Sequence, residues 1–332
     1  MNIIITGSNG FIGQHLIQFL KQKFPASNIS CLVRKVRKPQ NSCEVSCHCV
    51  DYSDLASLQN LEILKSADYI FHLAGVTKGI SMEDFVNGNV IPTKNLLEAV
   101  LGIYNENPKF KRFVFISSLA AGGPAKCLEN PKKEADADQP VEFYGESKLL
   151  AENIVAEYGK FIPTTIIRPS AVYGPGDLDF LNIFKMLNKN LSIFHGNKND
   201  FMSLIFAKDL AEGIVQAALS DETIGRTYYL THPQKISWLE FHKISAEILG
   251  KKPIEINVPK FCLDLLAIFG EIYSKICKKN CIFNKQKIKM AKYKYWICSD
   301  EKAAKDFGFV AKTDLKSGLE KTLDWCRRNR KI

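Results

Sequence analysis

Runs of apolar residues and the polar breaks between them divide the chain into alternating strands and helices. Ile3-Ile4-Ile5 is a continuous apolar run, as in a strand buried on both faces. Phe11, Ile12, Leu16, Ile17 and Leu20 then recur at helical spacing. Asn28 to Val33 reads as a second strand. Cys43, Val45, Cys47 and Cys49 alternate with Glu44, Ser46 and His48, the period of a third. Tyr69 to Gly75 is a fourth, ending in the small residues Ala74 and Gly75, and a helix follows from about Val86 to Leu101. Phe113 to Ile116 is a fifth strand, and a segment rich in Gly, Pro and charge, Leu119 to Glu142, leads to a helix running from Tyr144 to about Tyr158. This order predicts an α/β chain with a Rossmann-type doubly wound parallel sheet.

Past Arg168 the alternation loosens, as expected of a smaller C-terminal substrate-binding lobe. Residues 1–168 are expected to form the dinucleotide-binding domain, with 203–222 returning to it, and 169–202 and 223–332 to form the lobe. Within the lobe, Phe180 to Asn188 reads as a short helix. Ser237 and Glu240 form a capping box that opens a helix from Trp238 to Leu249. Phe261, Leu265, Ile268, Phe269, Ile272 and Ile276 make an apolar stripe, which reads as core or, alternatively, as a helix resting on a membrane surface.

With 332 residues, 46% of them hydrophobic and 24% charged, the chain has the composition of an ordinary globular protein. The first strand begins at Asn2 with no basic segment before it, and no apolar run reaches the length of a membrane span, so a cytoplasmic protein is expected. The ten cysteines then read as free thiols. Strand alternation puts Cys43, Cys47 and Cys49 on one face and His48 on the other, so no metal site is expected. The net charge of +10 comes without any nucleic-acid-binding motif, and a solvated lysine-rich face accounts for it. A small molecule is the expected partner; one chain or a homodimer are both open.

Gly7, Gly10 and Gly13 stand between a buried strand and a helix N-terminus. Without Cβ atoms, backbone N–H groups can approach a pyrophosphate, and the helix dipole favours its charge. Gly7 would make the turn, Gly10 would allow close approach and Gly13 would let helix and strand pack. The backbone of Asn9, Phe11 and Ile12 belongs to the same cradle. The residue about 20 positions on, where a carboxylate would meet a free ribose 2′-hydroxyl, is Val33, followed by Arg34. A guanidinium pairs with a 2′-phosphate, so NADP(H) is favoured over NAD(H). Asp51, ending the third strand, either contacts the adenine end of the cofactor or caps the helix that starts near Ser53.

Tyr144 and Lys148 lie four apart on one helix, stacked on one face. An ammonium group beside a phenol lowers its pKa, and a serine hydroxyl from a strand end can polarise the same substrate oxygen. That set suits hydride transfer, where a proton must move at the alcohol oxygen. Eleven tyrosines in a lysine-rich chain would produce about one such pair by chance, so the weight comes from its position after Ser117-Ser118 and the glycine turn. His72 reads as a packed, hydrogen-bonded core residue.

Together these residues resemble the extended short-chain dehydrogenase/reductase family, which includes nucleotide-sugar epimerases and dehydratases, dihydroflavonol reductases and 3β-hydroxysteroid dehydrogenases. The resemblance also takes in His72 to Gly75, Asn89-Val90, Asn95 to Ala99, Arg168 to Asp177, and Ser203 to Phe206 before Asp209, and so covers nearly the whole chain. It implies Tyr144 as acid/base, Lys148 as its modulator and ribose contact, and Ser118 rather than Ser117 as the carbonyl-polarising group. It also implies that Leu73, Ala74, Asn89 and Pro169 lie against the cofactor. In many epimerases of this kind a diphosphate-gripping Arg lies seven residues before the position of Asp209; here that residue is Met202. The expectation is therefore an NAD(P)-dependent reductase or dehydrogenase acting on an apolar carbonyl or secondary alcohol, with Met202, Phe201, Phe180 and Phe184 lining the lobe. The alternatives are a nucleotide-sugar epimerase or dehydratase with retained NAD, in which Arg226 or a lysine such as Lys198 takes over the diphosphate, and a non-catalytic NADP-binding sensor or assembly subunit.

Overall fold

The computed structural model describes residues 1–35, 45–258 and 285–332. Its main sheet is built from β1 (Asn2–Thr6), β2 (Asn28–Val33), β3 (Ser46–Cys49), β4 (Tyr69–His72), β5 (Arg112–Ile116), β6 (Thr164–Pro169) and, after the smaller lobe has begun with β7 (Ala171–Tyr173), β8 (Leu191–His195) and β9 (Phe201–Phe206), a seventh strand, β10 (Arg226–Leu230). The spatial order is β10-β6-β5-β4-β1-β2-β3 and every pairing is parallel. From β1 the chain first builds outward through β2 and β3, then returns to the other side of β1 to lay down β4. The strand order therefore reverses between β1 and β4, and the crevice beyond their C-terminal ends is where such sheets bind ligands.

The triple isoleucine shows why the first strand is apolar on both faces. Ile3 and Ile5 pack in a layer with Leu16, Ile17, Leu210, Ile214 and Phe309, whereas Ile4 packs on the other side with Leu58, Leu97, Val100 and Val155. The helices Phe11–Lys23 and Ala207–Leu219 thus cover one face and Ile91–Tyr104 and Phe143–Tyr158 the other. The helix expected from Val86 arrives as a short turn Met82–Phe85, a π-helical turn Val86–Val90, and then the α-helix.

The smaller lobe has its own core of Tyr173, Phe180, Leu181, Phe184, Met202, Leu204, Phe206 and Phe241. Here β9 pairs with β7, with β11 (Lys235–Ser237) and with β13 (Tyr295–Trp296), and β8 pairs in parallel with β12 (Ile254–Val258). The helix Trp238–Leu249 is opened by Ser237, whose hydroxyl accepts from Glu240 N–H at 3.1 Å.

The chain crosses between the two units more often than the sequence reading allowed. Of the returning segment 203–222, the helix joins the main domain but β9 belongs to the lobe sheet. Residues 223–332 are not all lobe, because β10 completes the main sheet and Ala303, Phe309 and Ala311 pack in its core. The stripe Phe261 to Ile276, like Cys43 and Glu44, lies outside the described residues. Among those described, no helix is long and apolar enough to cross a membrane.

Candidate active site

The glycine turn follows β1 at the point where the strand order reverses. Gly7 has φ +69°, and a Cβ on it would come within 2.7 Å of the Leu73 carbonyl carbon and the Ala74 nitrogen after β4. Gly10 N–H donates to the Gly7 carbonyl at 2.9 Å, closing the turn. A Cβ on Gly13 would stand 2.4 Å from the Gly7 oxygen, so only glycine lets the helix pack this closely. Asn9 and Gly10 are exposed, and Phe11 and Ile12 are half-buried. The helix beginning at Phe11 has no side-chain cap and no acidic residue in its first turn, which leaves its N–H groups and dipole to an anion. This cradle fits the pyrophosphate of a dinucleotide.

Arg34 is exposed just past the end of β2, the strand that pairs with β1. Asp51 is exposed too, but its carboxylate accepts from Ser53 N–H at 2.9 Å and Ser53 O–H at 2.6 Å, which holds it below the ordinary carboxylate range. It does not cap the following helix, because Asp54 does so by accepting from Ala56 N–H.

His72 is fully buried and part of a directed chain of hydrogen bonds. Ala74 N–H donates to Thr6 Oγ1 at 2.9 Å, and Thr93 O–H donates to the Asn89 carbonyl at 2.6 Å. Thr93 Oγ1 must therefore accept from His72 Nε2–H at 3.0 Å, leaving Nδ1 to accept from Thr6 O–H at 2.7 Å. Burial, with the Lys148 charge second, pushes the imidazole down to about 3, so it stays neutral. The chain ties the end of β1 to the loop after β4 and to the π-helical turn. Asn89, itself buried, accepts from Val76 N–H at 2.7 Å and donates to Ser147 Oγ at 2.8 Å, joining that loop to the helix Phe143–Tyr158.

That helix brings Tyr144 and Lys148 to the C-terminal edge of the sheet, where β5 delivers Ser118. Ser118 Oγ accepts from Ala120 N–H at 3.1 Å, and its hydroxyl lies beside the Tyr144 phenol. Ser117 is turned inward, its Oγ buried without a hydrogen-bond partner among the described residues. Tyr144 is half-buried, with its ring centroid 6.3 Å from that of Phe85. Lys148 is buried; its ammonium donates to the Ile116 carbonyl at 2.7 Å and lies 4.6 Å from the Phe115 ring centroid. Pro169 ends β6 at the same edge, next to Arg168, which is held by Glu152, Asp138 and the Tyr229 hydroxyl.

The electrostatics differ from the sequence expectation in one respect. The phenol is pushed up, to about 12, by burial, with Ser118 pulling it down and the Glu142 and Asp179 charges adding to the rise. Lys148 is instead the perturbed cation, lowered to about 8 by burial against the opposing pull of Glu152. The phenol is thus a protonated donor at neutral pH, and the ammonium stands under the loop after β4: a Cβ on Gly75 would come 3.7 Å from it.

The apolar side chains expected to line the lobe do something else. Phe184, Met202 and Phe180 are 0%, 3% and 9% exposed, packed in the lobe's own core, and Phe201 is only partly exposed. Arg226 begins β10 at the opposite, N-terminal edge of the sheet, where it pairs with Asp306 at 3.0 Å. Lys198 pairs with Glu255 at 2.7 Å. Among the described residues no cluster of His, Cys, Asp and Glu could hold a metal. The sequence reading missed the relay through Thr6 and Thr93, whose only trace is their spacing from Gly7 and Asn89, and the cap at Glu142.

The model of the NAD dependent epimerase/dehydratase family matches residues 3–230. The chain belongs to this family. It is an enzyme whose cofactor is a nicotinamide dinucleotide, and its similarity to known members runs nearly end to end. It is 26% identical over 337 residues to a ceramide reductase of Caulobacter vibrioides, covering 98% of this chain and 94% of that protein. It is 25% identical over 287 residues to a UDP-glucose 4-epimerase of Vibrio cholerae, covering 82% and 83%. Among solved structures, UDP-glucuronic acid 4-epimerase from Bacillus cereus, in complex with UDP-glucuronic acid and NAD, superposes with a TM-score of 0.78 at 23% identity, covering 99% of this chain and all of that one.

Proposed function

We propose that this enzyme is a reductase or dehydrogenase that exchanges a hydride between NADP(H) and a carbonyl or secondary alcohol in an apolar small molecule. The observation that carries the reading is the meeting of Ser118, Tyr144 and Lys148 at the sheet edge next to the glycine cradle. The cofactor supplies or accepts the hydride. The Ser118 hydroxyl donates to the substrate oxygen and polarises it. Tyr144, kept protonated by its surroundings, gives its proton to the oxygen as negative charge develops there. Lys148 holds a positive charge beneath the reacting centre and would contact the ribose of the bound cofactor. Arg34 supports NADP(H), because no carboxylate stands at Val33 to take a free 2′-hydroxyl.

Three positions argue against a nucleoside diphosphate on the substrate. Met202 has neither charge nor donors, Arg226 is committed at the wrong edge, and Lys198 is neutralised by Glu255. The similarity to ceramide reductase is consistent with an apolar substrate. The similarity to UDP-glucose 4-epimerase favours the second reading, an epimerase or dehydratase with retained NAD. Calorimetric titration of the cofactor-loaded enzyme with UDP, dTDP and GDP separates the two. No micromolar binding is expected; micromolar affinity for any of them would put the epimerase first.

A further inference from the structure

The helix that carries Tyr144 is capped by Glu142, a side chain one methylene longer than Asp, one of the residues common at helix N-caps. Glu142 is 5% exposed, and it uses both oxygens on consecutive amides. Oε2 accepts from Tyr144 N–H and Oε1 from Gly145 N–H, each at 2.7 Å. Gly145 is confined at the same junction: a Cβ there would come 2.4 Å from the Ala120 carbonyl oxygen and 3.1 Å from Glu142 Oε1. The carboxylate therefore sits where the turn led by Ser118 meets the turn that carries Tyr144. A hydroxyl or amide cap offers one acceptor atom; the ionised carboxylate gives each amide its own charged oxygen.

We propose that Glu142 is a positioning residue for Tyr144, its carboxylate fixing the first helical turn against the Ser118 turn and keeping a negative charge near the phenol. The proposal rests on the assignment of Tyr144 as the proton donor, but its test does not require turnover.

The charged groups around the carboxylate come from two elements. Glu146 on the same helix raises the Glu142 pKa, Lys289 from the helix Lys285–Ala291 lowers it, and Tyr144 is the titratable group it acts on. Burial is the largest influence and raises Glu142 above its ordinary 4.5, with the two amide bonds pulling back. As pH falls through that raised value, the carboxyl becomes half donor and one amide loses its acceptor. The phenol then loses both its anionic neighbour and part of its anchoring.

The experiment is carbon-13 NMR of protein labelled at tyrosine Cζ, with the Tyr144 resonance assigned by its loss in Tyr144→Phe. The wild-type resonance should move through an inflection with a midpoint above 4.5 as the pH is lowered from 8. Glu142→Gln should abolish that inflection and, above pH 9, bring the phenolate signal in at a lower pH than in the wild type. If Glu142→Gln does not fold, Glu142→Asp and Glu142→Ser carry the comparison, the first keeping the inflection and the second losing it. A Tyr144 resonance with no inflection, or one unchanged by replacing Glu142, overturns the proposal. Near-normal turnover of Tyr144→Phe would instead overturn the assignment beneath it.

Discussion

Replacing Lys148 by Met separates what the ammonium costs the fold from what it gives the site. The side chain is 4% exposed, and burial lowers its pKa from 10.5 to about 8. A shift of that size corresponds to roughly 3 kcal/mol of destabilisation at neutral pH relative to the unfolded chain. Met fills a similar volume but leaves the Ile116 carbonyl without its donor, which costs about 1–3 kcal/mol. The variant should therefore unfold with wild-type stability or up to about 2 kcal/mol above it at pH 7. The sign of the pH dependence follows. Between about 8 and 10.5 the unfolded lysine binds more protons than the folded one, so wild-type stability gains from this group as pH rises, and the variant lacks that gain. Urea unfolding of both proteins at pH 7 and pH 10 measures the difference directly. Cofactor affinity and turnover should fall in the same variant. A variant more than about 2 kcal/mol less stable at pH 7, with the wild-type pH slope retained, would refute the account of Lys148 as a strained functional charge.

Two further substitutions test the cofactor site. Arg34→Asp places a carboxylate just past the end of β2 and should reverse or abolish a preference for NADPH over NADH; equal affinities for both in the unmodified enzyme would dismiss Arg34 as the discriminator. Gly13→Ala pushes a methyl group to 2.4 Å from the Gly7 carbonyl oxygen, so dinucleotide affinity should collapse and stability fall by about 1–3 kcal/mol, read by fluorescence titration and urea unfolding.

Much of the sheet was legible because its strands are buried on both faces. Ile3-Ile4-Ile5 and Phe113 to Ile116 can only be central strands when each neighbour in sequence faces a different helical layer. The glycine turn was legible because Gly7 and Gly13 meet backbone atoms, a demand that leaves one residue type open. The lobe was harder. Met202, Phe180 and Phe184 are apolar for packing, and an apolar side chain carries no mark that distinguishes a core from a substrate wall. The seventh strand was assigned to the lobe although Arg226–Leu230 directly follows the main-domain helix Ala207–Leu219, because nothing in its residues tells a strand at the far edge of the main sheet from one in the lobe. Tyr144 as a protonated donor was expected, but the direction of its pKa shift was not. Sequence spacing puts Lys148 one turn away, but the ammonium turns down to the Ile116 carbonyl and burial governs the phenol.

The central claim is net hydride transfer through Tyr144, and absorbance at 340 nm measures it. Purified enzyme is mixed with NADPH and a panel of apolar ketones, with UDP-hexoses as the contrasting substrates, and Tyr144→Phe is run alongside. The account predicts consumption of NADPH equimolar with alcohol formed from at least one ketone, a turnover at least about 10² lower in Tyr144→Phe with cofactor binding preserved, and no reaction with the UDP-hexoses. Interconversion of UDP-hexoses with no net change at 340 nm, by enzyme purified with NAD already bound, would contradict it.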